Sequence, residues 1–408
     1  MAIKVLMFGW EFPPFNSGGL GTACFGLARA LSSHDVELIF ILPRAVNVKS
    51  NKFKIKFAEA GLKIEIKNVN SLLKPYINSK SYKDERIGIQ KGIYGQGLFD
   101  EIERYGRNAR ILAKEYNFDI IHAHDWMSFR AGIEAKKVSG KPLILHIHST
   151  EIDRTGGNNV NPEIFRIEKE GMEMADKVIA VSKLTKDILV NSYGIAPEKI
   201  HVVHNGIDIY DYPLIDADDT AVSKLKESGN KIVLFVGRIT LQKGPDYFLK
   251  AAKKVLEFYP NVYFVIAGSG DMEHIIIREA ASLGISDKVL FAGFLRGEEL
   301  NKIYRAADLF VMSSVSEPFG ITALESVVNG TPVLVSKQSG VKETLTHVLT
   351  ADFWDIDEMA NKILAVLNYD SLKMTLKTNS FNQVKNINWT QAAKKCIDIY
   401  RSVLNQYF

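Results

Sequence analysis

The chain is poor in cysteine, in net charge and in long apolar runs, and each shortage removes a class of protein. Two cysteines, Cys24 and Cys396, stand among 408 residues. That is too few for a disulfide scaffold and reads as a pair of reduced thiols in a reducing compartment. No segment approaches the ~20 apolar residues that a membrane helix needs. The opening Met1–Phe8 runs straight into a Gly-rich turn, so it reads as a first strand and not as a secretory leader. A cytoplasmic location is the expectation left by elimination. Lys and Arg number 51 against 47 Asp and Glu, a formal charge of only +4. So mild an excess does not argue for a nucleic-acid partner, although it is compatible with an anionic substrate. No internal repeat of solenoid period is visible.

What is present is ordinary globular material, 46% hydrophobic and 24% charged, long enough for two or three domains. Short runs rich in Val, Ile, Leu and Phe alternate with helical patterns. In the first half the strand candidates are Lys4–Trp10, Val36–Pro43, Asp119–His124, Pro142–His148, Lys177–Ser182 and His201–Asn205. In the second half they are Lys231–Gly237, Val262–Gly268, Val289–Gly293, Leu309–Ser314 and Pro332–Ser336. Several are apolar nearly throughout, as strands buried on both faces of a parallel sheet are. Between them Leu20, Ala23, Cys24, Leu27, Ala28 and Leu31 keep helical spacing, as do Phe248, Ala251, Ala252 and Val255. Two series of β-α-β units predict two doubly wound, Rossmann-like parallel-sheet domains with a cleft between them. The aperiodic Asp208–Asp219 reads as the linker. Ser50–Arg110 is the least regular stretch, and Trp389–Leu404 reads as a last helix.

In such sheets ligands bind beyond the carboxyl ends of the strands, and the unusual residues stand there. Gly9–Gly21 carries Gly18 and Gly19 into a helix. It is either an anion cradle of bare backbone N–H groups or a plain tight turn, and Gly-Gly-x-Gly lacks the spacing of the dinucleotide fingerprint. Arg238 and Lys243 follow another strand. They suit a diphosphate leaving group, on which negative charge builds as a glycosidic bond breaks, or else they are exposed loop cations. Glu317 sits in a loop before a helix opened by Gly320, with Glu325 about one turn inside it and Ile321, Leu324 and Val328 as its buried stripe. Two such acids near one cleft can bind sugar hydroxyls, though acids near a loop are commonly surface residues. His122 and His124 share one strand face, as do His146 and His148. Four histidines raise a metal-hydrolase reading, but that leaves the cationic and acidic pairs unexplained. His122 and His146 fit satisfied core histidines. His148 and Asp125, last on their strands, are the better functional candidates. Asp216-Ala217-Asp218 resembles a metal-binding pair and reads as solvated linker.

Together these segments resemble the retaining glycosyltransferases of the GT-B group, the group that includes glycogen and starch synthases, in the expected order over nearly the whole chain. Glu317 to Glu325 matches the group's pattern of two glutamates with seven residues between them. Gly237-Arg238 with Lys243-Gly244 matches its phosphate-binding Arg and Lys, and His148 its first-domain histidine. His122-Ala123-His124-Asp125-Trp126 and Trp10-Glu11-Phe12-Pro13 are especially similar to glycogen synthases.

The resemblance implies an enzyme, a hexosyltransferase moving glucose from UDP- or ADP-glucose to an α-glucan with retention. Its partners are a nucleotide-sugar donor and a glycan acceptor; neither cofactor nor metal is implied. It implies His148, Glu317, Arg238 and Lys243 at the reaction, and Gly18 and Gly19 against the diphosphate. Phe319 and Gly320 would meet the donor sugar with Glu317, Glu325 the ribose, and Asp125 the sugar or acceptor. Glu11, Ile321 and Thr322 complete the substrate-binding set. It also implies an acceptor-side domain of residues 1–210 joined by a returning helix, 388–408, and a donor domain of 211–387. Two positions depart from the pattern. Asn16 stands where bacterial glycogen synthases carry Lys, and Thr346–Trp354 replaces the usual Gly-rich stretch. The alternatives are another sugar or acceptor, an epimerase or hydrolase on the same fold, and a non-catalytic glycan-binding protein.

Overall fold

The computed structural model describes residues 2–13, 18–43, 54–57, 97–213 and 221–407. They fall into two units, residues 1–206 with 389–408, and residues 207–388. The division falls at Gly206/Ile207, inside the stretch after the last strand of the first half. Asp208–Pro213 belongs to the second unit and includes a 3-10 turn, Ile209–Asp211. Asn16 and Asp216–Asp218 lie outside the described residues.

The first unit is built on β1 (Ile3–Phe8), α1 (Gly19–Leu31), β2 (Val36–Leu42), β3 (Lys54–Phe57), α2 (Leu98–Glu115), β4 (Ile120–His124) and α3 (Trp126–Ser139). It continues through β5 (Leu143–Ile147), α4 (Glu151–Thr155), α5 (Pro162–Met174), β6 (Lys177–Ala180), α6 (Lys183–Asn191) and β7 (Ile200–Val202). Its seven strands lie in the order β3-β2-β1-β4-β5-β6-β7, and all six pairings are parallel. Every residue of β4 and β5 is buried, which is why both are continuously apolar apart from their histidines. The core gathers Leu6, Phe8, Ile121, Leu143, Leu145 and Val178 under Tyr105, Trp126 and Phe129.

The second unit runs α7 (Ala221–Glu227), β8 (Lys231–Val236), α8 (Pro245–Phe258), β9 (Val262–Ala267), α9 (Glu273–Ser282), β10 (Val289–Gly293) and α10 (Gly297–Ala306). It ends with β11 (Leu309–Met312), α11 (Ile321–Val328), β12 (Val333–Ser336), β13 (Leu349–Ala351), α12 (Ile356–Asn368) and α13 (Asp370–Val384). Its six strands, in the order β10-β9-β8-β11-β12-β13, are again all parallel. The fold is two Rossmann-like doubly wound domains. The chain then returns to the first unit as α14 (Trp389–Tyr407), whose Tyr407 hydroxyl donates to Asp176 at 2.8 Å.

Three features differ from the sequence expectation. Ser50–Arg110 holds the edge strand β3 and most of α2. Thr346–Trp354 contains the short edge strand β13. Both strands sit at sheet margins, and in β13 partial burial weakens the apolar signal. His148 and Asp125 stand one residue beyond β5 and β4, in the turns that follow.

Candidate functional site

Both sheets reverse their winding between neighbouring strands. In the second unit the reversal lies between β8 and β11, and the crevice beyond such a switch point is where open α/β sheets take ligands. Lys243 follows β8 and Glu317 follows β11. The Lys243 ammonium donates to the Glu317 carboxylate at 2.5 Å, with side chains 19% and 7% exposed. Two loops that share no local sequence thereby place a cation and an anion together at the switch point.

The backbone holds them there. Lys243 ends a 3-10 turn, Leu241–Lys243, and its stem runs along Gly237. Gly244 follows at φ +62°, where a Cβ would come within 2.3 Å of the Ser313 carbonyl. Only glycine tolerates both that conformation and that approach. The Val315 N–H donates to the Gln242 carbonyl at 2.9 Å, and the Ser313 hydroxyl to the Gly244 carbonyl at 2.7 Å. Glu317 pairs as an isolated bridge with Ser339 and accepts from the Ser314 hydroxyl at 3.2 Å. Arg238, half-buried, donates to the Gln242 amide oxygen at 3.2 Å.

Gly320, at φ 108°, opens α11; a Cβ there would meet Met312 at 2.9 Å. Phe319 is buried, and its carbonyl accepts from the Ser339 hydroxyl. Ile321 is buried, and Thr322 directs its hydroxyl at the Met312 sulfur, 3.7 Å away. Glu325 lies on α11 and accepts from the hydroxyls of Tyr212 and Tyr304, each at 3.3 Å. Burial pushes its carboxyl above the usual range, and the two hydroxyls moderate the shift.

In the first unit, parallel register places His124 beside His146 on neighbouring strands. With His122 two residues earlier and His148 two residues later, four imidazoles line one face of the sheet. Successive contacts in the group run from 4.4 to 5.4 Å between ring centroids. His122 Nδ1 lies 2.6 Å from the Tyr400 hydroxyl on α14, and His124 Nδ1 lies 2.9 Å from His148 Nε2. Desolvation pushes His122 down to about 3 and lowers His124, His146 and His148 as well. These rings are therefore neutral at physiological pH.

Two triads of possible ligands, Cys24-His124-His148 and His122-His124-His146, have donor atoms within 4.8 Å of one another. The geometry of the second is that of a stack. Its rings are inclined by 17–29°, so lone pairs lying in the ring planes run in separate layers. They do not meet at one point ~2.0–2.1 Å from each nitrogen. Burial raises the Cys24 thiol well above its ordinary value, which disfavours the thiolate a metal takes.

Asp125 is fully buried at φ 56°, a conformation non-glycine residues seldom hold. Its carboxylate accepts from the backbone N–H groups of His148 at 2.6 Å and Ser149 at 3.3 Å. The structure thus makes Asp125 the brace of the His148 turn. Arg154 braces the other side, donating to the Ser149 carbonyl at 2.9 Å, to Glu168 at 2.5 Å and to Glu151 at 3.1 Å. Glu11 is buried after β1. Among the described residues, a Cβ added at Gly18 or Gly19 meets nothing within 4 Å.

Of the expected residues, Lys243 and Glu317 come together directly, Arg238 stands with them through Gln242, and Glu325 lies farther along α11. Gln242, Ser314, Tyr212, Tyr304 and Arg154 were not legible in the sequence. Each acts through a partner between 3 and 113 residues away, and no local spacing announces such pairs.

Comparison with known proteins gives the family. Residues 17–210 match the family described as Glycosyltransferase Family 4, and residues 216–383 that described as Glycosyl transferases group 1. An uncharacterised glycosyltransferase of Methanocaldococcus jannaschii is 31% identical, over 98% of each chain. A glycogen synthase of Mycobacterium tuberculosis is 25% identical over 85% of this chain and 80% of its own. The sucrose-phosphate synthase structure from Thermosynechococcus elongatus superposes with a TM-score of 0.79 at 20% identity, over 99% of this chain and 100% of that one. The chain belongs to the group 1 glycosyltransferases of GT-B fold. It is a hexosyltransferase, working between a nucleotide-sugar donor and an acceptor. Among the described residues no helix is long and apolar enough to cross a membrane.

Proposed function

We propose that this enzyme transfers glucose, with retention, from UDP- or ADP-glucose to an α-glucan acceptor in the manner of a glycogen synthase. The observation that carries the reading is the Lys243–Glu317 pair at the switch point of the second unit. It offers an ammonium for a diphosphate and a carboxylate for sugar hydroxyls within hydrogen-bonding distance of each other. The glucan acceptor is supported by the His122–Trp126 and Trp10–Pro13 segments and by the glycogen synthase relative.

On this reading Arg238 and Lys243 neutralise the diphosphate as the anomeric C–O bond breaks. Glu317, with the Phe319 and Gly320 backbone, holds the donor sugar, and Glu325 the ribose. Gly18 and Gly19 lie along the diphosphate, and His148 meets the transferred sugar, its turn held by Asp125. Glu11, Ile321 and Thr322 belong to the surrounding shell. The acceptor hydroxyl attacks the face that the diphosphate leaves and forms the new C–O bond. Its proton passes to the departing phosphate oxygen. The reading uses no enzyme nucleophile and no metal, the two cations serving that role, and it places the work in the cytoplasm.

The test is nucleotide release from UDP-, ADP- and GDP-sugars with maltoheptaose as acceptor, with and without a chelator. Release from a glucose donor, with lengthening of the glucan through α-linkages, is expected. Release with no acceptor at all would mean a hydrolase. No elongation of maltoheptaose alongside transfer to another sugar would end the glucan assignment.

A further inference from the structure

The stretch Thr346–Trp354, where the sequence departs from the Gly-rich stretch that the resemblance implies, brings aromatic rings to the same carboxyl end of the sheet as Lys243 and Glu317. Phe353 and Trp354 follow β13, and Tyr247 lies in the first turn of α8. The Tyr247 and Phe353 rings meet edge to face at 4.9 Å and 76°, and those of Phe353 and Trp354 at 4.8 Å and 84°. Trp354 remains 58% exposed.

Two connections tie this trio to the ion pair. Tyr247 stands three residues past Gly244, its ring 3.2 Å from where a Gly244 Cβ would be, and Gly244 adjoins Lys243. On the other side Gln338 bridges the trio to Glu317. Its backbone carbonyl accepts from the Glu317 N–H at 2.9 Å. Its side-chain amide donates to Asp352 at 2.9 Å and accepts from the Phe353 N–H at 3.4 Å. Polar groups rim the rings. The Lys250 ammonium lies 5.0 Å from the Tyr247 centroid and donates to Asp246 at 3.1 Å. Asp352 also pairs with Lys337 at 2.8 Å.

We propose that Tyr247, Phe353 and Trp354 form a binding platform on the donor unit for an outlying hexopyranose ring of the glycan acceptor, beyond the reacting end that the resemblance assigns to the first unit, an inference that rests on the transferase reading above. A pyranose presents C–H groups on its faces and hydroxyls on its rim. An exposed indole in a trio of rings, with the Lys250 ammonium against Tyr247 and Asp352 two residues before Trp354, matches both, as sugar and other ligand sites combine aromatic walls with a few polar groups. Through Gln338 and Gly244 the platform is held in fixed register with Glu317 and Lys243, so an acceptor seated on it is also seated relative to the donor site of this unit.

The experiment uses the full chain, with maltoheptaose and UDP or ADP as probes. Saturation-transfer NMR reports contact with the saccharide, titration reports nucleotide affinity, and nucleotide release reports kinetics. Trp354→Ala is expected to abolish saturation transfer and raise the maltoheptaose KM by roughly tenfold, with nucleotide affinity within about twofold of wild type. Trp354→Phe should recover most of the loss, and Phe353→Leu should reproduce it in part if Trp354→Ala folds poorly. An unchanged acceptor KM, an equal fall in nucleotide affinity, no saturation transfer to the wild type, or a change of oligomeric state in Trp354→Ala would each overturn the platform. Failure of the wild type to release nucleotide from any donor, with saturation transfer intact and lost in Trp354→Ala, would instead sink the glucosyl-transfer reading and leave the platform standing.

Discussion

Replacing Lys243 with Met separates what its ammonium does for stability from what it does for transfer. The pair is 2.5 Å long between side chains 19% and 7% exposed. Removing one partner of a fully buried pair costs about 3–5 kcal/mol, because the remaining charge stays desolvated. Here the ammonium touches water, and Glu317 keeps the Ser314 hydroxyl at 3.2 Å. The expected cost is therefore lower, about 2–3 kcal/mol. For a unit of this size that lowers the melting temperature by roughly 5–10 °C. Glu317→Gln alone strands the ammonium, which can turn outward, and should cost less. The double variant removes both charges, so the two losses should fall short of additivity by about 1–2 kcal/mol. Transfer follows different logic. Lys243→Met should lower nucleotide release by roughly 10²-fold or more, and the double variant should stay as slow, since neutralising Glu317 returns no positive charge to the diphosphate. Calorimetry on the four proteins, with nucleotide release at saturating donor, measures both. Strictly additive stability losses would refute the coupling, and turnover within twofold of wild type would refute the role assigned to Lys243.

The buried histidines and the junction with the returning helix yield further expectations. His122, His124 and His146 are held below their ordinary value by desolvation, so the unfolded chain binds more protons between about pH 6.5 and the depressed values. Stability is thus fully present above about pH 6.5 and falls as the pH drops below it, by up to ~1.4 kcal/mol per histidine per pH unit. Unfolding midpoints from pH 7.5 to 5 should show this slope, and His146→Asn should flatten it; an equal slope in the variant would show that the acid sensitivity lies elsewhere. Gly26 on α1 packs against α14 so closely that a Cβ would lie 2.2 Å from the Trp389 ring. Gly26→Ala should therefore destabilise by about 1–3 kcal/mol, overriding the ~1 kcal/mol that alanine gains inside a helix. Pairing it with Trp389→Leu should recover part of the loss, and a more stable single variant would contradict the packing.

The sheets were legible wherever strands are buried on both faces. The apolar runs of β4, β5 and β8 stand out because parallel strands between helix layers admit no polar face. The edge strand β13, only partly buried, escaped for the complementary reason. Site chemistry divided in the same way. Lys243 and Glu317 were visible as residue types following strands, but their 2.5 Å pairing depends on β8 and β11 being neighbours, which chain order does not state. Asp125 is legible as a functional candidate from its place after β4. What the sequence does not show is that its carboxylate accepts from the backbone of the His148 turn, a buried carboxylate needing N–H donors.

Composition, period and spacing alone determined two doubly wound units and the residues that cap their strands, since burial and backbone conformation act locally along the chain. Which of those residues meet was decided only in three dimensions. Strand order set the Lys243–Glu317 contact, parallel register stacked the four histidines, and a single glutamine, Gln338, joined Glu317 to an aromatic surface. Each of these contacts spans residues far apart in the chain, and its geometry is fixed by sheet hydrogen bonding and close packing rather than by any local preference.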